Sequence, residues 1–188
     1  MKDLIGDVIS STITLFKLAL IKLFHFSSCR FSLVERFSPD VVIKLGKGSK
    51  LTLGKRISVH SGSKIVSVAG GHLQIGDNCG FSRNCMIICR ASTKIGSGTI
   101  FGPNVLVYDH DHDFRVEGGI RARKFKCGEV SVGKNCWIGA NTIILRNTQI
   151  GDNCIIGAGS IVKGNIPSGT VLVQKRENEL RTCDIEGE

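Results

Sequence analysis

The sequence has little proline, few aromatic side chains and no long apolar run, and each shortage excludes a class of protein. Only 3 of its 188 residues are proline, which excludes collagen and proline-rich linkers. Aromatic residues make up 6% of the chain, so we expect no nucleic-acid surface built on base stacking. The longest uncharged run near the N-terminus, Val8 to Phe16, is too short to cross a bilayer. No cleavable signal is evident, which predicts a cytoplasmic, reducing location.

The composition that remains is that of a soluble globular domain. Apolar residues are 41% and charged residues 22% of the chain, and 188 residues suffice for one domain with its own core. The net charge of +9 permits anionic partners without selecting one of them. The 23 glycines indicate many tight backbone corners.

A period of six residues organises the sequence. Aliphatic residues recur at every sixth position, usually followed by glycine, and the residue four places later is usually small. The downstream ladder consists of Val132, Ile138, Ile144, Ile150, Ile156 and Val162. The same unit occurs upstream, from Ile75 to Ile87 and again, after a slip of two residues, from Ile95 to Val107. A degenerate form begins near Leu45.

This period fits neither an α-helix nor a simple alternating strand. It fits short strands joined by turns, three to a triangular coil, with the aliphatic and small residues pointing inward and successive coils pairing in parallel. Four cysteines occupy the small inward position and are predicted to be free packing residues: Cys79, Cys85, Cys136 and Cys154. No CxxC pair is present, which argues against a cysteine zinc site.

These repeats resemble those of the hexapeptide-repeat acyltransferases. The resemblance covers residues 39–173 and implies an all-β fold, a left-handed parallel β-helix with an N-terminal α-helix and one ejected loop. Residues 1–38 then form an N-terminal helical segment, 108–130 the loop and 174–188 a C-terminal tail. The family builds homotrimers with acyl-CoA sites between subunits, so a homotrimer is implied as well.

The N-terminal segment, residues 3–26, predicts an amphipathic α-helix. Its apolar residues recur at three- and four-residue steps: Ile5, Ile9, Ile13, Phe16, Leu20 and Phe24. The first interpretation is a helix that caps the open end of the β-helix or packs on a neighbouring subunit. The second is peripheral contact with the inner face of the cell membrane.

The loop contains the residues best suited to catalysis. It reads Tyr-Asp-His-Asp-His-Asp-Phe from position 108 and includes His110 and His112. Acyl transfer to a hydroxyl needs a general base, and an imidazole exchanges its proton near neutral pH. The resemblance to galactoside and maltose O-acetyltransferases favours His112 as the base, with His110 as the second candidate. One of Asp109, Asp111 and Asp113 orients the imidazole.

The resemblance also implies a set of residues for acetyl-CoA, used as a co-substrate with no metal required. Trp137 lies at an outward position and resembles the tryptophan of the family's acyl-CoA and acceptor cleft; packing at a subunit interface is the other interpretation. The remaining positions border the CoA arm or its phosphates: Ala140, Ala158, Lys163, Gly164 and Arg181. His60 and His72 are surface histidines or line an acceptor groove.

The function implied is an acetyl-CoA-dependent O-acetyltransferase acting on a sugar hydroxyl of a surface polysaccharide: capsule, O-antigen or exopolysaccharide. N-acylation of an amino sugar is an alternative, because the same base serves an amine. A non-catalytic β-helix scaffold is another. A metal hydratase resembling the γ-type carbonic anhydrases would use His110, His112 and His72, although their spacing differs from that class.

Overall fold

The computed structural model describes residues 2–24, 28–30, 36–68, 70–175 and 177, with the helix side chains described from residue 12 to 23. An α-helix, α1 (Lys2–Phe24), precedes a stack of short strands. The strands are Cys29–Arg30 (β1), Arg36–Phe37 (β2), Val42–Leu45 (β3), Lys50–Leu53 (β4), Ser58–Val59 (β5), Lys64–Ser67 (β6), His72–Ile75 (β7), Gly80–Phe81 (β8), Met86–Cys89 (β9), Ser92–Ile95 (β10), Ile100–Phe101 (β11), Leu106–Tyr108 (β12), His110–His112 (β13), Phe125–Cys127 (β14), Val130–Val132 (β15), Trp137–Ile138 (β16), Ile143–Ile150 (β17), Ile155–Ile156 (β18), Ile161–Ile166 (β19) and Val171–Leu172 (β20).

The strands form the three faces of a parallel β-helix, as the six-residue period predicts. Face A contains β1, β4, β7, β10, β15 and the second halves of β17 and β19. Face B is the 7-stranded sheet β2-β5-β8-β11-β16-β18-β20. Face C contains β3, β6, β9, β12 and the first halves of β17 and β19, which turn onto face A where their pairing register shifts. Each coil therefore runs from face A to B to C.

The core consists of the aliphatic ladder that the sequence predicts. All six residues of the downstream ladder, from Val132 to Val162, are at most 3% exposed. Upstream, the rings of Phe81 and Phe101 stack at 4.6 Å between successive coils. The four cysteines predicted to pack inward are buried and free, which confirms their packing role. Burial of each large aliphatic side chain contributes about 1.5–3 kcal/mol, so the stack of coils stabilises itself.

The corners of the coils place two requirements on the backbone, a left-handed conformation and close approach between successive coils. Seven of the nine non-glycine residues with positive φ in the described ranges are asparagines, such as Asn135 at 53° and Asn153 at 56°. The repeated glycine meets a different need, since a Cβ atom on Gly133 would lie 2.5 Å from the backbone carbon of Gly151 in the next coil. The recurring glycine thus permits close stacking of coils, while asparagine and a second set of glycines, such as Gly98 and Gly159, supply the left-handed corners.

Helix α1 packs on the first coil through polar contacts. The Thr14 hydroxyl donates to the Phe37 carbonyl at 2.7 Å, and Lys17 Nζ donates to the carbonyls of Pro39 and Val41 at 2.8 and 2.7 Å. Leu18 is fully buried in the core cluster. These bonds supply donors to backbone carbonyl groups of the outermost coil.

The face of α1 that packs on the coil is not the predicted apolar stripe. Ile13, Phe16 and Leu20 are exposed, while Thr14 and Leu18 are buried, because the coil end requires hydrogen-bond donors as well as apolar contact. Ile5, Ile9 and Phe24 have side chains outside the described residues. Within the described part of the chain, no helix is long and apolar enough to span a membrane.

The solenoid begins before residue 39, where the predicted repeat region starts, and ends near residue 173, where that region ends. Strand β1 starts at Cys29 and pairs with β4, although the residues around it do not follow the six-residue pattern. At the other end, the Gln174 side chain donates to the Ile161 carbonyl and accepts from the Ile161 N–H, at 2.8 and 2.9 Å. This amide closes the last coil, and most of the predicted tail lies outside the described residues.

Candidate functional site

The ejected loop leaves the solenoid between β12 on face C and β15 on face A. It forms a two-stranded antiparallel hairpin, which the sequence did not predict, with His110 opposite Cys127 and His112 opposite Phe125. A short 3₁₀ helix, Gly119–Ala122, closes its far end. The hairpin holds both loop histidines at one edge of the prism, the edge between faces C and A.

Asp109 anchors the base of this loop. Its side chain is fully buried, and its carboxylate accepts hydrogen bonds from the backbone N–H groups of Arg90 (2.8 and 3.0 Å) and Ala91 (2.7 Å). The backbone carbonyl of Asp109 accepts from the Gly128 N–H at 2.8 Å, across the loop. A buried carboxylate that is satisfied on so many sides is fixed in position.

The same carboxylate orients His110. His110 Nδ1 lies 3.0 Å from Asp109 Oδ1, and the imidazole is 12% exposed. A carboxylate only accepts, so Nδ1 carries the hydrogen and Nε2 is left with a free lone pair. Edge contacts with Tyr108 and Phe125, at ring distances of 6.1 and 5.5 Å, fix the ring plane. Asp109 is therefore the member of the three candidate aspartates that contacts an imidazole.

His112 has a different environment. Its side chain is exposed, and its ring lies 4.6 Å from that of Phe125 in a tilted arrangement. Among the described residues, no hydrogen-bond partner fixes its tautomer. The two histidines thus differ in geometry, and within the described residues only His110 has a carboxylate partner.

The other two aspartates of the loop bind cationic side chains. Asp111 Oδ2 accepts from Arg146 Nε at 2.6 Å, which ties the hairpin to β17. Asp113 pairs with Lys126 across the loop at 3.3 Å, and a hydrogen bond from the Arg115 N–H lowers the pKa of Asp113, with Lys126 adding to this effect. Both carboxylates stabilise the loop and do not contact a histidine.

Sequence reasoning missed Arg90, which lies beside this cluster. Its guanidinium carbon is 3.7 Å from the centre of the Phe125 ring, the ring that also contacts both histidines. The signal for it was the two-residue slip between Ile87 and Ile95, because the extra residues widen the corner where Arg90 and Ala91 bind Asp109.

The residues predicted for acetyl-CoA lie on other parts of the prism. Trp137 is 53% exposed on face B, where it lines a groove of about 240 Å³ with His60, Ile100 and Phe101. Ala140 and Ala158 follow face B on successive coils. Lys163 and Gly164 lie where β19 turns from face C to face A, at the edge that carries the loop. Arg181 lies outside the described residues.

One chain therefore does not bring Trp137 and His110 together. Trp137 belongs to face B, whereas His110 occupies the opposite edge, between faces C and A. Gly164 is nearer to the loop, since it lines a groove of about 320 Å³ with Glu129 and Asn147. A site using all of these residues requires a second subunit.

The cysteine beside His110 is poorly suited to covalent catalysis. Partial burial and the nearby Asp109 carboxylate raise the pKa of the Cys127 thiol, so the nucleophilic thiolate is disfavoured at neutral pH. Cys89, inside the same corner, is fully buried, and burial followed by the Asp109 charge raises its pKa to about 12. Neither thiol is therefore placed as a nucleophile.

A metal site finds no support in the described residues. They contain no group of three or more His, Cys, Asp or Glu side chains placed to hold an ion. His72, the third ligand of the hydratase hypothesis, lines a separate groove on face A with Lys50 and Lys94.

Comparisons with known proteins agree with this fold. Residues 129–164 match the family described as Bacterial transferase hexapeptide (six repeats). Nodulation protein L from Rhizobium leguminosarum bv. viciae is 38% identical over 79 residues, and that from Rhizobium meliloti (strain 1021) is 39% identical over 77. Each alignment covers 40% of this chain, which spans about 40% of the length of these curated relatives.

Solved structures extend the likeness to nearly the whole chain. A single-residue variant of AntD, an N-acyltransferase from Bacillus cereus in complex with dTDP-4-amino-4,6-dideoxyglucose and coenzyme A, superimposes with a TM-score of 0.65. It is 17% identical, and the match covers 90% of this chain and 91% of that one. Another AntD structure, with dTDP and 3-hydroxybutyryl-CoA, gives a TM-score of 0.57 at 18% identity, over 79% and 80% of the two chains. Residues 129–164 thus carry the bacterial transferase hexapeptide repeat, and the chain has the parallel β-helix fold of AntD.

Proposed function

We propose that this protein transfers an acetyl group from acetyl-CoA to a sugar hydroxyl, with His110 as the general base. The observation that carries the proposal is the buried Asp109–His110 pair in the loop that interrupts the repeats. Sequence reasoning favoured His112, and the hydrogen bond to Asp109 moves our preference to His110. A surface polysaccharide remains the proposed acceptor. The AntD complexes with coenzyme A and a nucleotide sugar support the two substrate classes by analogy of fold.

In the proposed reaction the acetyl group passes directly from acetyl-CoA to the acceptor hydroxyl, through a tetrahedral intermediate. Nε2 of His110 accepts the proton of the acceptor hydroxyl as its oxygen attacks the thioester carbonyl carbon. The tetrahedral intermediate collapses, the C–S bond breaks, and the CoA sulfur leaves with the proton that His110 held. Asp109 keeps Nδ1 protonated and stabilises the transient imidazolium. No acyl-enzyme forms, in keeping with the raised pKa of the nearby Cys127 thiol.

Acetyl-CoA is proposed to bind between subunits of a homotrimer. The support is the separation of Trp137, on face B, from Lys163, Gly164 and the loop on the far edge. An adjacent copy that sets its face B against this edge would complete the site, and Trp137 is exposed and available for it. Sedimentation equilibrium is expected to give three times the chain mass, whereas a monomer that turns over would contradict the shared site.

Trp137→Ala is expected to weaken acetyl-CoA binding about tenfold, because the bound donor would lose its apolar contact with the indole. Calorimetric titration measures the change. Ile161→Ala is the matched control, since Ile161 is 52% exposed on face C, compared with 53% for Trp137. Equal affinities for the parent and the Trp137→Ala variant would remove Trp137 from the donor site.

A transfer assay with saccharide acceptors tests the reaction itself. Release of CoA that depends on a polysaccharide fragment, with a mass gain of one acetyl group on that fragment, is the expected result. Hydroxylamine at mild alkaline pH cleaves esters and leaves amides, so it separates O-acetylation from N-acylation of an amino sugar. N-acylation is the second candidate, favoured by the amino sugar bound in the AntD complex. CoA release without a modified acceptor would indicate hydrolysis only.

We also propose that α1 contacts an anionic membrane surface on the cytoplasmic side. Its outer face exposes Phe16 at 68% and Leu23 at 73%, next to Ile13, Leu15 and Leu20. The coils beneath it are strongly basic, with a single acid, Asp40, in residues 36–68. The exposed basic residues of that range are Arg36, Lys44, Lys47, Lys50, Lys55, Arg56 and Lys64. An apolar stripe beside basic side chains suits an anionic bilayer.

Replacing both Phe16 and Leu23 by serine is expected to abolish most binding to vesicles of phosphatidylcholine with 30% phosphatidylglycerol, measured by co-sedimentation. Val173→Ser is the matched control, because Val173 is 68% exposed at the other end of the solenoid. Parent protein that stays in solution with these vesicles would contradict the proposal and favour a second protein copy on this stripe.

A further inference from the structure

Arg90 lies beside the Asp109–His110 pair and forms no salt bridge with any of the described carboxylates. Its Nε atom is buried and has no hydrogen-bond partner among the described residues. The guanidinium lies 3.7 Å over the Phe125 ring, and none of its nitrogens pairs with a carboxylate in the described part of the chain. A buried donor without an acceptor is costly, so its retention beside the candidate base calls for a partner from outside the described residues.

The carboxylates nearest to Arg90 are already engaged. Asp109 accepts from the backbone N–H of Arg90 and from His110, not from the Arg90 side chain. Asp111 binds Arg146, and Asp113 binds Lys126. The loop therefore offers Arg90 an aromatic face and no anion. Stacking on Phe125 holds the planar guanidinium in place. Nε is buried, but Arg90 as a whole is half-buried, so the terminal N–H groups are the part of the fork that a ligand would meet.

A polar groove of about 400 Å³ runs along face A. Arg90 is not one of its lining residues, but Ser92, two residues further along the chain, is. All of its lining residues except Leu73 have polar side chains, with two lysines and one glutamate as the charged members. The principal lining residues are Lys50, His72, Gln74, Ser92, Lys94 and Glu129. Hydroxyl, amide and ammonium groups at this density suit a saccharide chain that carries negative charge.

We propose that the acceptor is an acidic saccharide, whose carboxylate or phosphate binds Arg90 while the adjacent sugar units lie in the face A groove. This inference rests on the proposed function, since it names the acceptor class of the same site. The planar guanidinium can donate two parallel hydrogen bonds to either oxyanion. The bound anion also places a neighbouring hydroxyl at the edge that holds His110. The +9 net charge adds long-range attraction for such a polymer.

Binding of tri-galacturonate and of its neutral trimethyl ester, measured by calorimetry, tests the proposal. These probes share one carbohydrate skeleton and differ in charge and in the three ester methyl groups. We expect the acid to bind the parent protein at least about tenfold more tightly than the ester, with a preference that falls as salt rises. Competition with glucose 6-phosphate and with glucuronate distinguishes the two anions. If glucose 6-phosphate displaces tri-galacturonate at a lower concentration than glucuronate does, the acceptor carries a phosphate; the reverse order assigns a carboxylate.

Arg90→Gln is expected to remove the preference for the acid, and Arg90→Lys to retain part of it because the charge remains without the planar fork. Arg83→Gln removes an equal charge at the edge between faces B and C and is the matched control. If Arg90 had only a structural role, its replacement would weaken the binding of acid and ester alike, so the ratio of the two affinities decides. Thermal melting shows whether each variant is folded. If Arg90→Gln does not fold, the test is made with Arg90→Lys.

Equal binding of acid and ester by the parent protein, or an undiminished preference in Arg90→Gln, would overturn the assignment. Acetyl-CoA titrations on the same samples separate the two levels of the argument. Normal affinity for acetyl-CoA without a preference for the acid would contradict only the proposal that the acceptor is acidic. Absence of acetyl-CoA binding defeats the proposed function, whatever the saccharide result.

Discussion

Replacing His110 by alanine is expected to lower kcat about 10²–10⁴-fold while leaving the affinity for acetyl-CoA within about twofold of the parent. The proton of the attacking hydroxyl then has no positioned acceptor, and the other interactions with the donor are retained. Initial rates of CoA release and calorimetric titration measure the two quantities separately. The loop should stay folded, because Asp109 retains its bonds to the backbone of Arg90 and Ala91.

His112→Ala is the matched control for this result. Its ring is exposed and contacts Phe125, so we expect at most a fewfold loss of kcat. If His112→Ala abolishes turnover and His110→Ala does not, the base is His112. The Asp109–His110 pair would then be a structural anchor of the loop.

Asp109→Asn is expected to lower kcat by a similar factor, about 10²–10⁴-fold, without a comparable rise in the KM for acetyl-CoA. The amide nitrogen of asparagine can donate to the imidazole and so favour the tautomer in which Nε2 carries the hydrogen. That tautomer cannot accept a proton from the acceptor hydroxyl. Steady-state kinetics gives kcat and KM, and the tautomer of His110 is read from ¹⁵N chemical shifts.

The same substitution carries a cost in stability. The amide NH₂ group of asparagine accepts no hydrogen bond, so the backbone N–H of Arg90 or of Ala91 loses an acceptor. The loss of one hydrogen bond at this buried site costs about 1–3 kcal/mol. Asp111→Asn is the control, because Asp111 is exposed and binds Arg146 at the surface. A variant Asp109→Asn with parental kcat would show that the carboxylate only anchors the loop.

The β-helix was predictable because a single physical requirement repeats along the chain. Each coil buries one aliphatic and one small residue per face, so Val132, Ile138 and their successors could be identified from spacing alone. The regions where this requirement lapses were not predictable in the same way. Strand β1 and the packing face of α1 depend on backbone groups at the open coil end, as the Thr14 and Lys17 contacts show.

The candidate site was predictable in location but not in geometry. The break in the period after Val107 marked the loop, and its histidines marked the chemistry. Which histidine meets which aspartate depends on the hairpin that sets His110 opposite Cys127 and on the corner at Arg90 and Ala91. Those contacts join residues 19 positions apart through a widened coil, and no local pattern encodes them. Arg90 was missed for the same reason.

Calorimetric titration of the purified protein with acetyl-CoA, with a chelator present, tests whether this protein binds an acyl donor. We expect a dissociation constant on the order of micromolar, within the usual range for enzyme substrates, at about one site per chain. That stoichiometry follows from three equivalent sites between three subunits. No heat of binding at millimolar acetyl-CoA would contradict the acyl-donor assignment, and with it the role given to His110.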